Sequence, residues 1–313
     1  MGFSVSPLPG RSDFGAIVAG LTPAMLDDVA VCASLHALWI ERGLLLFRGL
    51  DGLDTLIRLS RVFGEPEEHP LLRGADLPVE QRLVIDVDEK AFGIYEVGGE
   101  RRGGWQGWHK DSIYTDRINR GGILWSRTVP ERGGETGFID QIAAWEALPE
   151  ALKARIEGLN VLYRYSRDSA DSRFGAQPDR RICRDPRRSA IGMHENARDR
   201  SIHPMVLVQP ETGRRMVNLS PWFADGIEGM ETPAGEALLR EVIDRITRPE
   251  SAWFHRWALG EMLLWDNLRM LHCAIGTPQG MRRHLRRTTI AGDYALGRRE
   301  AAETAKPALA DRS

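Results

Sequence analysis

Met262–His272 reads MLLWDNLRMLH. A four-residue apolar run, Met262 to Trp265, gives way to a polar turn at Asp266-Asn267, and the chain then delivers a histidine among apolar neighbours. A short continuous apolar run closed by turn residues suits a buried strand. The same pattern recurs from about Arg82 onward, in Leu83 to Val87, Gly122 to Ser126, Met205 to Gln209, Met216 to Leu219 and Thr288 to Ala291, separated by Gly, Pro and Asp. That spacing predicts a mainly β architecture, a β-sandwich or jelly roll.

Helical spacing interrupts it in two places, roughly Ile142 to Gly158 and Thr232 to Ile246. Upstream the chain is mixed. Thr22-Pro23 offers an N-cap and an N1 proline, and Met25, Val29, Cys32, Leu35 and Leu38-Trp39 recur at helical intervals, which predicts a helix over about 23–42. Leu44 to Phe47 then suits a buried strand, and Leu53 to Phe63 a second helix. The stretch 168–199, rich in Arg, Asp and Ser, shows little apolar periodicity and reads as an insertion adding little core, a candidate active-site lid. Residues 298–313 read as a polar tail. With no repeat and no interdomain linker, the expectation is one domain over 1–313, mixed α/β and mainly β.

Of 313 residues, 42% are hydrophobic and 27% charged, as in an ordinary folded protein. Lys plus Arg (42) nearly balances Asp plus Glu (44), so no global charge favours nucleic acid or an anionic membrane, and a small-molecule partner is expected. Cys32, Cys183 and Cys273 supply neither a disulfide framework nor a Cys-x-x-Cys ligand pair, which fits a reducing cytoplasm. No long apolar run or leader pattern argues for secretion or a membrane span.

His109-Lys110-Asp111 places an imidazole and a carboxylate two residues apart, so on a strand both face one way. Alone such a pair is commonly two surface polar residues, and His272 alone is commonly a hydrogen-bonded core histidine. Together the three make a two-histidine, one-carboxylate set that leaves positions open on a metal, as a non-haem Fe(II) oxygenase requires and a closed structural zinc site does not. Such a centre needs a two-electron donor, and 2-oxoglutarate can supply it. Its far carboxylate needs a fixed cation: Arg283, eleven residues beyond His272, offers a planar fork, and Thr136 in Gly133-Gly134-Glu135-Thr136 a hydroxyl.

The whole arrangement resembles the taurine dioxygenase and 2,4-dichlorophenoxyacetate dioxygenase (TauD/TfdA) family of Fe(II)/2-oxoglutarate enzymes. The motifs run in that family's order: GLLLFRG (43–49), SRVFGEP (60–66), Trp108-His109-Lys110-Asp111, Gly133 to Thr136, Trp145 to Leu148, His203-Pro204, Trp265-Asp266-Asn267, His272 and RRHLRR (282–287), with 161 positions from Asp111 to His272. The resemblance implies a double-stranded β-helix (jelly-roll) core with flanking helices. It also implies Fe(II) on His109, Asp111 and His272, 2-oxoglutarate on Thr136 and Arg283 with O2 as second co-substrate, and a dimer or tetramer. Arg287 would meet an anionic group of the primary substrate or brace a neighbouring carboxylate, while Asp266 and Asn267 would orient His272.

Substrate-site positions depart from the taurine enzymes. His69 matches a lining histidine, but Leu72 stands where they carry tyrosine, and Trp105 where they carry asparagine. Losing those polar groups disfavours a small zwitterion. With Tyr114, Trp222 and Phe223 as further candidates, a hydrophobic or aromatic carboxylate-type substrate is expected, hydroxylated or hydroxylated and then cleaved, with release of succinate and CO2. Asp111 speaks against halogenation, which needs that ligand position vacated. The rival readings are a redox-inactive metal enzyme on the same ligands and a non-catalytic 2-oxoglutarate-binding protein.

Overall fold

The computed structural model describes residues 2–68, 76–185, 200–292 and 294–300. His69 and Leu72, positions 186–199 of the insertion and 301–313 of the tail lie outside the described residues. The strands of the two sheets that build the site are numbered here in chain order: β1 (Ser4–Ser6), β2 (Ala16–Ala19), β3 (Leu44–Arg48), β4 (Val84–Asp88), β5 (Gln106–His109), β6 (Gly121–Thr128), β7 (Thr136–Asp140), β8 (Ala252–His255), β9 (Met262–Asp266), β10 (Met270–Ala274) and β11 (His284–Ile290). The larger sheet has the order β1-β2-β3-β9-β6-β11-β4 and the smaller β8-β7-β10-β5.

β9 lies between β3 and β6, antiparallel to both, and all five of its residues are buried. Its alternation feeds two cores. Met262 and Leu264 join Leu45, Phe47, Ile123 and Trp125 against α1 (Val29–Arg42) and α2 (Leu53–Phe63), through Trp39, Leu59 and Phe63. Leu263 and Trp265 face the other way, onto Phe138 of β7 and Met270 of β10. Period-two geometry therefore stacks helices, the larger sheet and the smaller sheet in layers. The smaller sheet repeats the device, sending Ile139 and Leu271 into a third cluster with Ile142, Trp145 and the helix Pro233–Ile246.

Three local readings need correction. The helix expected from Pro23 to Arg42 is a 3-10 turn, Pro23–Asp27, and then α1, because extended Asp28 caps α1 by accepting from the N–H groups of Ala30 and Val31; Thr22 makes no side-chain cap. The helix expected over 142–158 is two, Gln141–Ala147 and Glu150–Ile156, since Leu148 before Pro149 is extended. The described part of the insertion is structured: Arg180–Cys183 pairs with Ile94–Val97, and Phe174 enters the third core cluster. At the tail, Arg298–Arg299 pairs with Ser201–Ile202.

Candidate active site

β5 and β10 are neighbours, and their register sets His109 opposite His272 with ring centroids 4.1 Å apart. Nδ1 of His109 lies 2.8 Å from the carbonyl of Gly107; donating there fixes the tautomer and leaves the Nε2 lone pair pointing inward. Asp111 converges by a route other than the one the strand period predicts. β5 ends at His109, and Asp111 lies in the turn that follows, just before Ser112 at φ 58°. Its Oδ1 is 3.8 Å from His109 Nε2 and its Oδ2 3.5 Å from His272 Nε2. Among the described residues these three form the group able to hold a metal, with ligand atoms within 4.8 Å of one another.

Two residues hold that turn. The intervening Lys110 is wholly buried, its Nζ donating to Asn218 Oδ1 at 2.8 Å and to the Leu268 carbonyl at 2.5 Å. Asn267, expected to orient His272, instead grips the backbone of Asp111 and, through Nδ2, also Asn119. Asp266 accepts from Arg120 and from the Leu268 N–H, which shapes the turn joining β9 to β10.

The donor set is poised for a cation. Burial, then His272, lowers the His109 pKa to about 3, so its imidazole is neutral at pH 7. Burial would raise the Asp111 carboxyl, but Arg287, His272 and His109 outweigh it and hold the group well below the usual carboxylate range. A metal entering here displaces no proton from either side chain.

On one face of β11 and its lead-in lie Arg283, Leu285 and Arg287. Arg283 is 7% exposed, and among the described residues it forms no ion pair; burial lowers it to about 10 while Glu135 acts on it from longer range. Its Nη2 is 3.4 Å from Thr136 Oγ1, which also accepts from the Trp257 indole, and its Nε has no acceptor. A buried guanidinium of this kind is costly until an anion joins it. Arg287 is already engaged: Nη2 lies 2.5 Å from Asp111 Oδ2, over the Trp265 ring.

These groups line one cavity of about 320 Å³. Its aromatic wall is continuous: Trp222 meets the His109 ring edge-on at 4.9 Å and stacks on Phe223 at 4.7 Å, and Tyr114 touches both Phe223 and Tyr165 at 4.8 Å. Trp105 is not brought to the cavity; it precedes β5, and its ring is captured edge-on by Tyr95 at 5.6 Å. The sequence reading missed Phe92, which does line the cavity, and the burial of Lys110. Neither carries a local signal, since a lysine between two ligands reads as a surface residue.

A family profile described as "Taurine catabolism dioxygenase TauD, TfdA family" matches residues 4–289. The chain belongs to this family. It is 33% identical over 294 residues to a (S)-phenoxypropionate/alpha-ketoglutarate-dioxygenase of Sphingobium herbicidovorans, covering 94% of this chain and 96% of that protein. It is 27% identical to an alkylsulfatase of Acinetobacter baylyi, covering 93% and 85% respectively. A solved taurine dioxygenase structure from Burkholderia xenovorans superposes with a TM-score of 0.73 at 25% identity, over 97% of this chain and 96% of that one. As a TauD/TfdA enzyme this chain is a dioxygenase dependent on Fe(II) and 2-oxoglutarate and acts on a small molecule. No helix among the described residues is long and apolar enough to cross a membrane.

Proposed function

We propose that His109, Asp111 and His272 hold the iron, that Thr136 and Arg283 bind the far carboxylate of 2-oxoglutarate, and that the enzyme oxidises a small hydrophobic or aromatic carboxylate. The observation that carries this reading is the buried Arg283 guanidinium, which forms no ion pair among the described residues, in the same cavity as the two-histidine, one-carboxylate group. A redox-inactive enzyme on the same ligands would leave that cation without a purpose. Fe(II) held there would let O2 take two electrons from 2-oxoglutarate, which leaves as succinate and CO2, and two from a substrate C–H bond.

The chain's own residues do the rest. The Gly107 carbonyl fixes the His109 tautomer, and the Asp111 turn fixes the carboxylate. The Arg283 fork and the Thr136 hydroxyl, whose proton is not needed by Trp257, orient the co-substrate. Trp222, Phe223 and Tyr114 exclude water and offer apolar surface to the substrate. Arg287, whose Nε has no acceptor among the described residues, retains donors for a substrate carboxylate while bracing Asp111. One relative is named for phenoxypropionate, which fits this apolar, cation-tipped cavity. We assign the two facing sheets to the halves of a double-stranded β-helix, and 1–313 to one domain.

The test is anaerobic addition of Fe(II) and 2-oxoglutarate, read by the weak visible charge-transfer band that the chelate gives. The band should form in wild type and be lost or weakened in His272→Ala and Arg283→Ala; its absence in iron-loaded wild type would overturn the reading.

A further inference from the structure

Phe92 and Ser112 are non-glycine residues with left-handed backbone, φ 69° and 58°, and both line the cavity. At Ser112 the conformation belongs to the turn that follows Asp111, where its carbonyl is held by the Thr115 amide and hydroxyl. At Phe92 the turn alone would be served better by glycine or asparagine, because a bulky Cβ crowds the backbone there. Such strain persists only where the surroundings over-determine it, and it gathers at ligand clamps.

The surroundings of Phe92 do so from two sides. Its N–H donates to Asp185 Oδ2 at 3.1 Å. Its carbonyl lies 2.7 Å from the buried Tyr95 hydroxyl, which shares its proton between that carbonyl and Asp168 Oδ1, also at 2.7 Å. Asp168 is in turn ion-paired with Arg181 Nε at 2.8 Å, and Arg181 stands opposite Tyr95 in the strand pairing. The next residue is Gly93, where a Cβ would come within 2.5 Å of the Cys183 carbonyl, so the two segments are locked closely together. The phenyl ring held by this scaffold packs against the core cluster that contains Trp222 and Phe223.

We infer that Phe92 is a specificity-determining residue, fixed at the cavity so that its ring and the Trp222–Phe223–Tyr114–Tyr165 wall together select a substrate bearing a flat aromatic ring. This rests on the site reading above and narrows its substrate. Aromatic faces and edges reward a planar ring over a puckered one of similar size.

The experiment uses full-length protein loaded with Mn(II) and N-oxalylglycine, an unreactive analogue of 2-oxoglutarate. Calorimetry then compares binding of 2-phenoxypropionate and 2-(cyclohexyloxy)propionate to wild type, Phe92→Gly and Phe92→Leu. Wild type should prefer the phenyl ligand by roughly five- to tenfold, and both variants should bind the two ligands within about twofold of each other. Phe92→Gly relieves the backbone strain, so Mn(II) and N-oxalylglycine should still load and report a folded site. A variant that loads normally and keeps the phenyl preference overturns the role of Phe92 and leaves the site reading standing. A loaded wild type that binds both ligands alike, or neither, overturns the inference as well. Failure of Mn(II) and N-oxalylglycine to load wild type removes the site reading and this inference together.

Discussion

Asn267 holds both backbone groups of Asp111, a residue 156 positions earlier: its Oδ1 accepts the Asp111 N–H at 3.0 Å and its Nδ2 donates to the Asp111 carbonyl at 3.0 Å. The carboxamide thus mimics a strand partner for one residue, at the point where β5 has ended and no strand is available. Substitution by Asp keeps the acceptor, loses the donor and buries a charge. Asn267→Asp should lower Mn(II) affinity by about 10- to 100-fold, the range for groups that orient metal ligands. Metal titration by calorimetry checks this, and affinity within twofold of wild type in a folded variant would contradict it.

Arg283 predicts opposite effects on stability and binding. Arg283→Met removes a buried cation that forms no ion pair among the described residues and has only the more distant Glu135 as counter-charge, so the ligand-free protein should melt at a higher temperature. The same variant should bind 2-oxoglutarate on the order of a hundredfold more weakly, because an anion-pairing fork is gone. Differential scanning calorimetry with and without 2-oxoglutarate reads both effects, and a destabilised variant that still binds normally would refute the argument.

His203 links folding to pH. Burial lowers its pKa to about 4 in spite of the backbone hydrogen bond to Thr115, whereas the unfolded chain titrates it near 6.5. Between those values the unfolded state binds more protons, so its contribution is fully present above about pH 6.5 and is lost as pH falls toward 4. The full loss is at most roughly 3 kcal/mol. His109 acts in the same direction, so the readout is the difference between wild type and His203→Gln in urea midpoint from pH 7 to 4. The variant should show the shallower decline; equal slopes would exclude His203 as a contributor.

Trp105 and Trp222 are both expected from sequence at the substrate site, but Trp222 lines the cavity and Trp105 does not. Trp222→Ala should raise KM for the primary substrate severalfold, whereas Trp105→Phe should change KM less than twofold, since its ring meets Tyr95 and not the cavity. Steady-state kinetics on both variants decide it.

What could be read from sequence followed local rules. Strand β9 was legible because burial on both faces leaves no alternation to misread, and α2 because its apolar face keeps helical spacing from Leu53 to Phe63. The grouping of His109, Asp111 and His272 was legible because these residue types are unusual together. The break at Pro149 divides two stretches that share apolar periodicity and so read as one helix. Other features depended on distant partners. The hairpin of Ile94–Val97 and Glu100–Gly103 that captures Trp105 lacks an apolar pattern, and Lys110 is buried by Asn218 and Leu268, each more than a hundred residues away.

The central place of β9 also governs how the chain can be made. As synthesis proceeds from the N-terminus, β3 and β6 both emerge long before the strand that joins them, and His109 and Asp111 long before His272. Until then β3 is paired on one side only, β6 has neither of its strand partners, β9 and β11, and the ligand set is incomplete. The larger sheet can therefore close only after Met262–Asp266 has been made, so its formation rests on contacts between residues more than a hundred positions apart.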